Sequence, residues 1–371
     1  MSDFEPPSPM WTAVRAASGA VGLPKRTLLH AGPPFVDPYQ PSAPVLSSAV
    51  LACRHEGWCQ DDAEAEEMIL DGRVRLRSAH DFGVVTPLAE VVSPRTPLMA
   101  VMDANDGSRL AWSPLASGPG PQMRFGTRNA AVLDRHTWRD DVLAPMLSSV
   151  LREPIDLVGP ARAALDAGED LHGNTATATA AIARVLDARL PRTAEGDEAR
   201  AMLAASPLFF LTLWMAACRT LVMALSEGRP GLIVAMAGNG IDVGIRLAGW
   251  PQQWITGPAA PPEGARMDPS STAAVSPMIG DSGVIDAAGF GGQRSEASLA
   301  RAHLLVPHAG LGASIGLDAA QLDAAEAPPI VNIGMIAADG LGGLLGRGVY
   351  RPPLELFRAA ITETMARTMP T

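Results

Sequence analysis

The chain has 371 residues, with 29 basic against 39 acidic side chains and a formal net charge of −10. It has no run of Lys and Arg, and Lys25 is its only lysine, so it is not expected to bind nucleic acid, which needs a clustered basic face. A hydrophobic content of 47% against 18% charge excludes global disorder, and a chain this long should bury roughly 75% of its unfolded surface without a metal or disulfide.

The first 25 residues are rich in Pro, Ser and Ala, and residues 11–17 read as a short helix. Residues 27–31 (TLLHA) form an apolar run entering a turn at Gly32-Pro33-Pro34, which predicts a strand. Apolar spacing predicts a helix over 45–58, and an acid-rich stretch predicts another over 61–70, ending at Gly72. Short strands are expected near Val74, Val84 and Val91 and over 98–102. The last of these turns through residues 103–107 into 109–112.

From residue 127 to about 228 strand signals vanish, and helices are predicted over 129–151, 157–167, 174–190, 198–205 and 207–227. Residues 207–225 are nearly all apolar and about as long as a membrane span. Arg219 and Cys218 interrupt that stretch, Ser206-Pro207 reads as a helix start, and no membrane anchor flanks it. A central helix buried on all sides is therefore expected, with no membrane association.

After Pro230, residues 231–237 and 242–248 are predicted to pair as a hairpin around Gly238-Asn239-Gly240, because Asn-Gly supplies positive φ angles. Glycine clusters at 280–292 and 334–348, and a last helix is expected over 354–369. The resulting fold class is α+β and multidomain. It comprises an N-terminal α/β domain (1–126), a central helical domain (127–228) and a C-terminal α+β domain with glycine-rich turns (229–371).

Cys53, Cys59 and Cys218 are odd in number and fit no zinc spacing, so buried, unreactive thiols in a reducing cytoplasm are expected. His55, His80, His136, His303 and His308 form no metal-binding pair, so no metal site is expected. Gly280-Asp281-Ser282-Gly283 places a carboxylate and a hydroxyl in a flexible turn. Its N–H groups could form an anion-binding nest, or the turn could simply pack tightly. The loop Gly168-Glu-Asp-Leu-His172-Gly-Asn174 lies between two helices. It reads either as general acid/base groups at a helix start or as a capped, solvated turn. His30, at the end of a buried strand, is equally a site residue or a structural one. Residues 340–348 look superficially like a phosphate loop but match neither nucleotide-binding pattern.

Taken in order, several segments carry a resemblance: His30-Ala-Gly-Pro-Pro34, Glu56-Gly57-Trp58, Ser93-Pro94-x-x-Pro97, Arg124-Phe125-Gly126 and Gly168-Glu-Asp-Leu-His172. Phe209-Phe210-Leu211, Ala235-Met-Ala-Gly-Asn-Gly240, Gly280-Asp-Ser282 and Asn332-x-Gly334 continue the series. Over nearly all of its length after residue 25 the chain resembles the AllG/YlbE-like family, which includes a subunit of an oxamate carbamoyltransferase. The resemblance implies a multidomain α+β fold with a helical insert and transfer of a carbamoyl group between phosphate and an amide nitrogen. It also implies a small amide or ureido substrate with phosphate, no cofactor, and a second protein subunit or homo-oligomer as partner. His172, as the base, with Asp281 and Asp286 are then the catalytic candidates. His30, Asn174, Asn239, Gly240, Gly280, Ser282, Gly283 and Asn332 are the substrate-binding candidates.

The departures from the family pattern bear on the same positions. His172-Gly173-Asn174-Thr175 stands where the family carries H-N-R-N, and Met236-Ala237-Gly238-Asn239-Gly240 stands for M-A-R-N-G. Ala337-Ala338 replace a common His-Lys pair, Leu344 a glutamine, and Asp286 a glutamate. Fewer cations weaken a site for phosphate and carboxylate. Three readings stay open: a less anionic substrate, charge supplied by a partner subunit, or a non-catalytic scaffold or binding paralogue.

Overall fold

A computed structural model describes residues 5–294 and 306–368; His303 and the end of the expected last helix lie outside them. The chain opens with strand β1 (Pro9–Ala16) and a single helical turn, α1 (Ala17–Ala20). The helix expected over 11–17 is thus a strand up to Ala16. Trp11 and Val14 face the core and Thr12 points away, with a bulge between Trp11 and Ala13 resetting the register. Trp, Thr and Val favour such a half-buried pleat, and neighbouring strands take up its backbone groups on both sides.

Strand β2 (Thr27–His30) is followed by helices α2 (Ala43–His55) and α3 (Asp62–Leu70), then β3 (Arg75–Ser78) pairs parallel to β2. Asp61 caps α3 through the Glu64 N–H, which explains its sharp start. Strands β4 (Pro97–Asp103) and β5 (Asp106–Pro114) form the expected hairpin. Val84 and Val92 make single bridges, to Trp112 and Leu29, instead of the strands expected near Val84 and Val91. Pro87, Pro94 and Pro97 deny this stretch the donors a longer ladder needs.

The helical stretch begins with α4 (Ala131–Trp138) and α5 (Ala144–Val150), joined through a π-helical segment at Arg139–Leu143. The two-residue strand β6 (Ile155–Asp156) then pairs with β1, completing the sheet order β5-β4-β1-β6 and placing a strand where none was expected. Helices α6 (Val158–Asp166), α7 (Ala176–Arg189), α8 (Ala194–Ala204) and α9 (Phe209–Leu225) follow. Every residue of α9 except Arg219 and Met223 is buried. No single helix among the described residues is long and apolar enough to cross a membrane; α8 and α9 pass such a test only as a pair, bent by 76°.

Strands β7 (Ile233–Asn239), β8 (Asp242–Leu247) and β9 (Ile255–Pro258) form a meander. After β10 (Glu263–Arg266), strand β11 (Ile279–Gly280) adds to the outer side of β7. Asn239 stays on the strand, and only Gly240 of the predicted turn pair has positive φ. The Asn239 side chain instead accepts the N–H groups of Ile241 and Asp242, so it shapes the turn from outside. A short helix, α10 (Gly283–Ala287), is followed by the small hairpin of β12 (Val306–His308) and β13 (Ala313–Ile315). Strands β14 (Val331–Ile336) and β15 (Leu344–Tyr350) then join β10 in a three-stranded sheet, and a helix over Leu354–Thr368 follows.

Residues 344–350 are therefore strand, not a phosphate loop. At Gly348 a Cβ would lie 2.5 Å from the Glu263 carbonyl oxygen, so glycine there permits close strand approach. The fold is mixed α+β with several small sheets. One large core gathers Trp11, Leu147, Leu186, Trp214 and Phe290 about α9; a second gathers Leu28, Met68, Met236, Ile333 and Phe357. Both draw on the beginning, middle and end of the chain. Cys53, Cys59 and Cys218 are buried free thiols, and burial pushes Cys53 up to about 12.

Candidate functional site

The loop between α6 and α7 carries His172, and its backbone is pinned from several directions. Asp170 Oδ1 accepts the N–H groups of His172 and Asn174, while Asp170 Oδ2 accepts the Asn332 side-chain amide on β14. Glu169 accepts the Thr177 N–H at the start of α7. Leu171, fully buried, is held at φ 65°, a conformation uncommon for a non-glycine residue and found most often where the surroundings over-determine it. These contacts fix the direction of the next side chain, His172.

His172 Nδ1 lies 2.8 Å from Asp286 Oδ2 on α10. The other carboxylate oxygen accepts the N–H groups of Gly292 at 2.8 Å and Asn332 at 3.3 Å. Burial raises Asp286 above the usual carboxylate range, against the lowering effect of His172 and those two N–H groups. When Asp286 is ionised and the imidazole neutral, His172 donates from Nδ1 and Nε2 carries the lone pair. Nε2 has no hydrogen-bond partner among the described residues, and His172 lines a cavity of about 540 Å³. At Gly291 (φ 59°) a Cβ would lie 2.4 Å from Asp286 Oδ1 and 2.9 Å from His172 Cβ, so only glycine lets this turn close over the pair.

Ser282, Asn332, Arg124 and Arg347 line the same cavity. Arg347 donates to the Gly173 carbonyl at 2.8 Å, tying β15 to the His172 loop. Arg124 Nε is buried with no acceptor among the described residues. Burial depresses Arg124, with Glu90 opposing and Arg347 adding to the effect. Glu90, 7% exposed, is pushed up to about 7 by burial against the charges of Arg139 and Arg124. The rest of the wall is largely apolar, including Leu88, Leu211, Ile333 and Leu344, with Glu263 as its one carboxylate among the described residues.

Of the sequence-predicted residues, His172, Asp286, Asn332 and Ser282 thus come together. Asn174 is exposed on the same loop, where its side chain accepts the Ala176 N–H. Asp281, His30, Asn239 and Gly240 lie outside the cavity lining. Asp281 is fully buried: it accepts the N–H groups of Gly32 and Thr86, and its Oδ1 lies 3.2 Å from His80 Nε2. Arg219 donates to His80 Nδ1 at 2.7 Å from behind. Burial alone would raise Asp281, but His80 and the two N–H groups outweigh it and hold the carboxyl below its usual range.

Of the two readings of residues 280–283, the exposed N–H row does not form, because Asp281 N–H donates to the Thr86 carbonyl and the whole turn is buried. Gly280 (φ 125°) and Gly283 serve close packing instead. A Cβ on them would lie 2.8 Å from Leu88 N and 2.3 Å from the Met236 carbonyl oxygen. His30 is buried against Phe35, bonded to its neighbour's carbonyl, and burial lowers it to about 4, so it is neutral. Asn239 donates to the Pro33 carbonyl, and Gly240 packs on Ser42.

The family model for the oxamate carbamoyltransferase subunit AllG matches residues 74–282. The chain is 31% identical to the oxamate carbamoyltransferase subunit AllG of Escherichia coli K12, over 97% of this chain and 94% of that protein. It belongs to the AllG family. It is also 25% identical to the uncharacterised protein YahG of the same organism, over 92% of this chain and 79% of YahG. A crystal structure of a conserved protein of unknown function from Enterococcus faecalis V583 shares the fold. Its TM-score is 0.86 at 23% identity, over 97% of this chain and 94% of that one.

The positions at which this AllG-family chain departs from the sequence pattern can now be placed. Gly173 and Leu344 line the cavity, and Asp286 partners its histidine. At Gly238 any Cβ would lie 2.3 Å from the Met278 carbonyl oxygen, so the backbone has closed where a longer residue was expected.

Arg124, Arg347 and Leu88, which line the cavity, and Glu90, which acts on Arg124 from outside that lining, were missed by sequence reasoning. Arg124 lies inside a segment that carried the resemblance, which was the available signal. Glu90 and Leu88 have no local signal, since their importance comes from what packs over them.

Proposed function

We propose that this chain is a subunit of a carbamoyltransferase-like complex, acting on a small amide or ureido acid with phosphate or carbamoyl phosphate. We place the reaction in the cavity beside His172. The observation that carries this reading is the oriented His172–Asp286 pair, whose free Nε2 shares a cavity with two arginines.

In the direction of transfer to the amide, His172 Nε2 takes a proton from the substrate nitrogen. That nitrogen forms a bond to the carbamoyl carbon, and the bond from that carbon to the phosphate oxygen breaks, releasing phosphate. Asp286 holds the imidazole in the required tautomer and balances the imidazolium that forms. Arg124 and Arg347 supply donors for carboxylate or phosphate oxygens, and Arg124 Nε has none to serve within the described protein. Ser282 and Asn332 border the same space and orient the amide.

The test is to purify the chain with the product of the neighbouring gene and assay phosphate-dependent formation of carbamoyl phosphate from ureido acids. Turnover that disappears in His172→Ala, with the complex still assembled, supports the reading. No turnover and no ligand binding by the wild-type complex would sink it.

A second reading, a binding or scaffold subunit without its own chemistry, is favoured by the largely apolar wall that includes Leu344. Undiminished activity of the complex with His172→Ala would select it.

A further inference from the structure

The charged groups of the cavity occupy only part of its wall. At about 540 Å³ it falls within the range of roughly 300–1,000 Å³ typical of pockets for drug-sized ligands. An amide or ureido acid of a handful of heavy atoms would leave much of that space against Leu88, Leu211, Ile333 and Leu344. Water beside such a surface is readily displaced by an apolar group.

Leu88 has not arrived there by default. It sits at φ 47°, in a region that L-residues other than Gly, Asn and Asp seldom adopt. Two glycines make room for it: a Cβ on Gly280 would lie 2.8 Å from Leu88 N, and a Cβ on Gly334 would lie 3.1 Å from Leu88 Cδ1. The Gly334 Cβ would also lie 3.4 Å from Leu344 Cδ1, so both leucines reach the same spot over β14. The Ala89 N–H donates to the Arg124 carbonyl, which couples the strained residue to the cationic side of the cavity.

We infer that the substrate carries an apolar substituent, seated on Leu88, Ile333 and Leu344 while its carboxylate meets Arg124 and Arg347, and that this wall sets specificity. The inference rests on the cavity being the substrate site, as proposed above, but not on the reaction that occurs in it.

The experiment is calorimetric titration of the full chain with oxamate and with the N-carbamoyl derivatives of glycine, valine and leucine. The leucine derivative should bind on the order of tenfold or more tighter than the glycine derivative, because each apolar group added in a fitted pocket is worth about that factor. Leu344→Gln should reduce this preference to about twofold or less. Leu88→Asn should do the same, and asparagine tolerates the left-handed backbone, so the fold should survive. Affinities that are flat or falling along the series, no binding by any probe, or a preference untouched by Leu344→Gln would each overturn the inference. Turnover without a preference would remove this inference and leave the reaction standing. A steep preference in binding without phosphate-dependent turnover would do the reverse.

Discussion

Glu90 offers the sharpest quantitative test of the electrostatics around the cavity. The residue is 7% exposed, and burial pushes its carboxyl from 4.5 up to about 7, against Arg139 and Arg124, which favour the charged form. Between these two values the folded chain holds a proton that the unfolded chain has released. Stability therefore falls as pH rises through that window, and the contribution is fully present only below the unfolded value. At about 1.36 kcal/mol per pH unit, the loss comes to about 3 kcal/mol by about pH 8. Glu90→Gln keeps the shape and removes the titration. Urea unfolding of both proteins from about pH 5 to about pH 8 should show the variant gaining about 2.5 kcal/mol on wild type across the range, since part of the loss already falls below about pH 5. The same ionisation sets a negative charge facing Arg124. Oxamate binding to wild type should therefore weaken as pH rises through about 7, and the variant should lack that step. Parallel stability curves for the two proteins would refute the reasoning, because they would mean Glu90 keeps its charge in the folded state.

Asp286→Asn leaves the geometry in place but lets the amide donate to His172 Nδ1, which moves the ring proton to Nε2 and fills the lone pair. Turnover of the complex should fall on the order of 100- to 10,000-fold with oxamate binding retained, and wild-type rates would discard the base assignment. Gly291→Ala and Gly168→Ala both place a side chain at positive φ, but only the first meets atoms, at 2.4 Å from Asp286 Oδ1. Each should lose about 1–2 kcal/mol for the left-handed conformation. An excess loss and inactivity are expected only for Gly291→Ala, and equal unfolding midpoints would contradict the close approach. Asp281→Ala removes the carboxylate that faces His80 and accepts from Gly32 and Thr86. It should cost about 3–5 kcal/mol in chemical unfolding, the range for a broken buried pair, whereas near-native stability would show that the network carries little.

The fold was legible where one chain segment determines its own structure. The apolar stretch ending at Leu225 makes a helix buried on nearly all sides, and the β7–β8 hairpin forms where Asn-Gly placed it, shifted because Asn239 stays on the strand. Residues 11–17 misled because their strand exists only through partners from β4 and β6, about 85 and 145 residues away in sequence. The site divides along the same line. His172 could be found because two acids precede it in a loop bounded by helices. Its partner Asp286 lies 114 positions away. Arg347 looked like part of a glycine-rich loop, although the glycines beside it serve strand pairing and the arginine reaches back to Gly173. Leu88 is the extreme case: two distant glycines leave the space it occupies, and nothing in its own neighbourhood announces its positive φ.

Asp281 and Asp286, five residues apart, put the distinction between framework and chemistry in one short stretch. Both are fully buried, and each contacts a histidine. The histidine facing Asp281 has its other nitrogen occupied by Arg219, so no ring nitrogen remains to exchange a proton with a ligand. The carboxyl there is held low, as suits a charge that stays in place to join β11 to the loops at Gly32 and Thr86. The histidine facing Asp286 lines a cavity and its other nitrogen has no partner among the described residues, while burial raises the carboxyl it faces. Sequence alone gives both aspartates the same standing, and so does burial. What separates them is whether the far side of the imidazole meets a fixed cation or an open space, and only the second arrangement can pass a proton to a substrate.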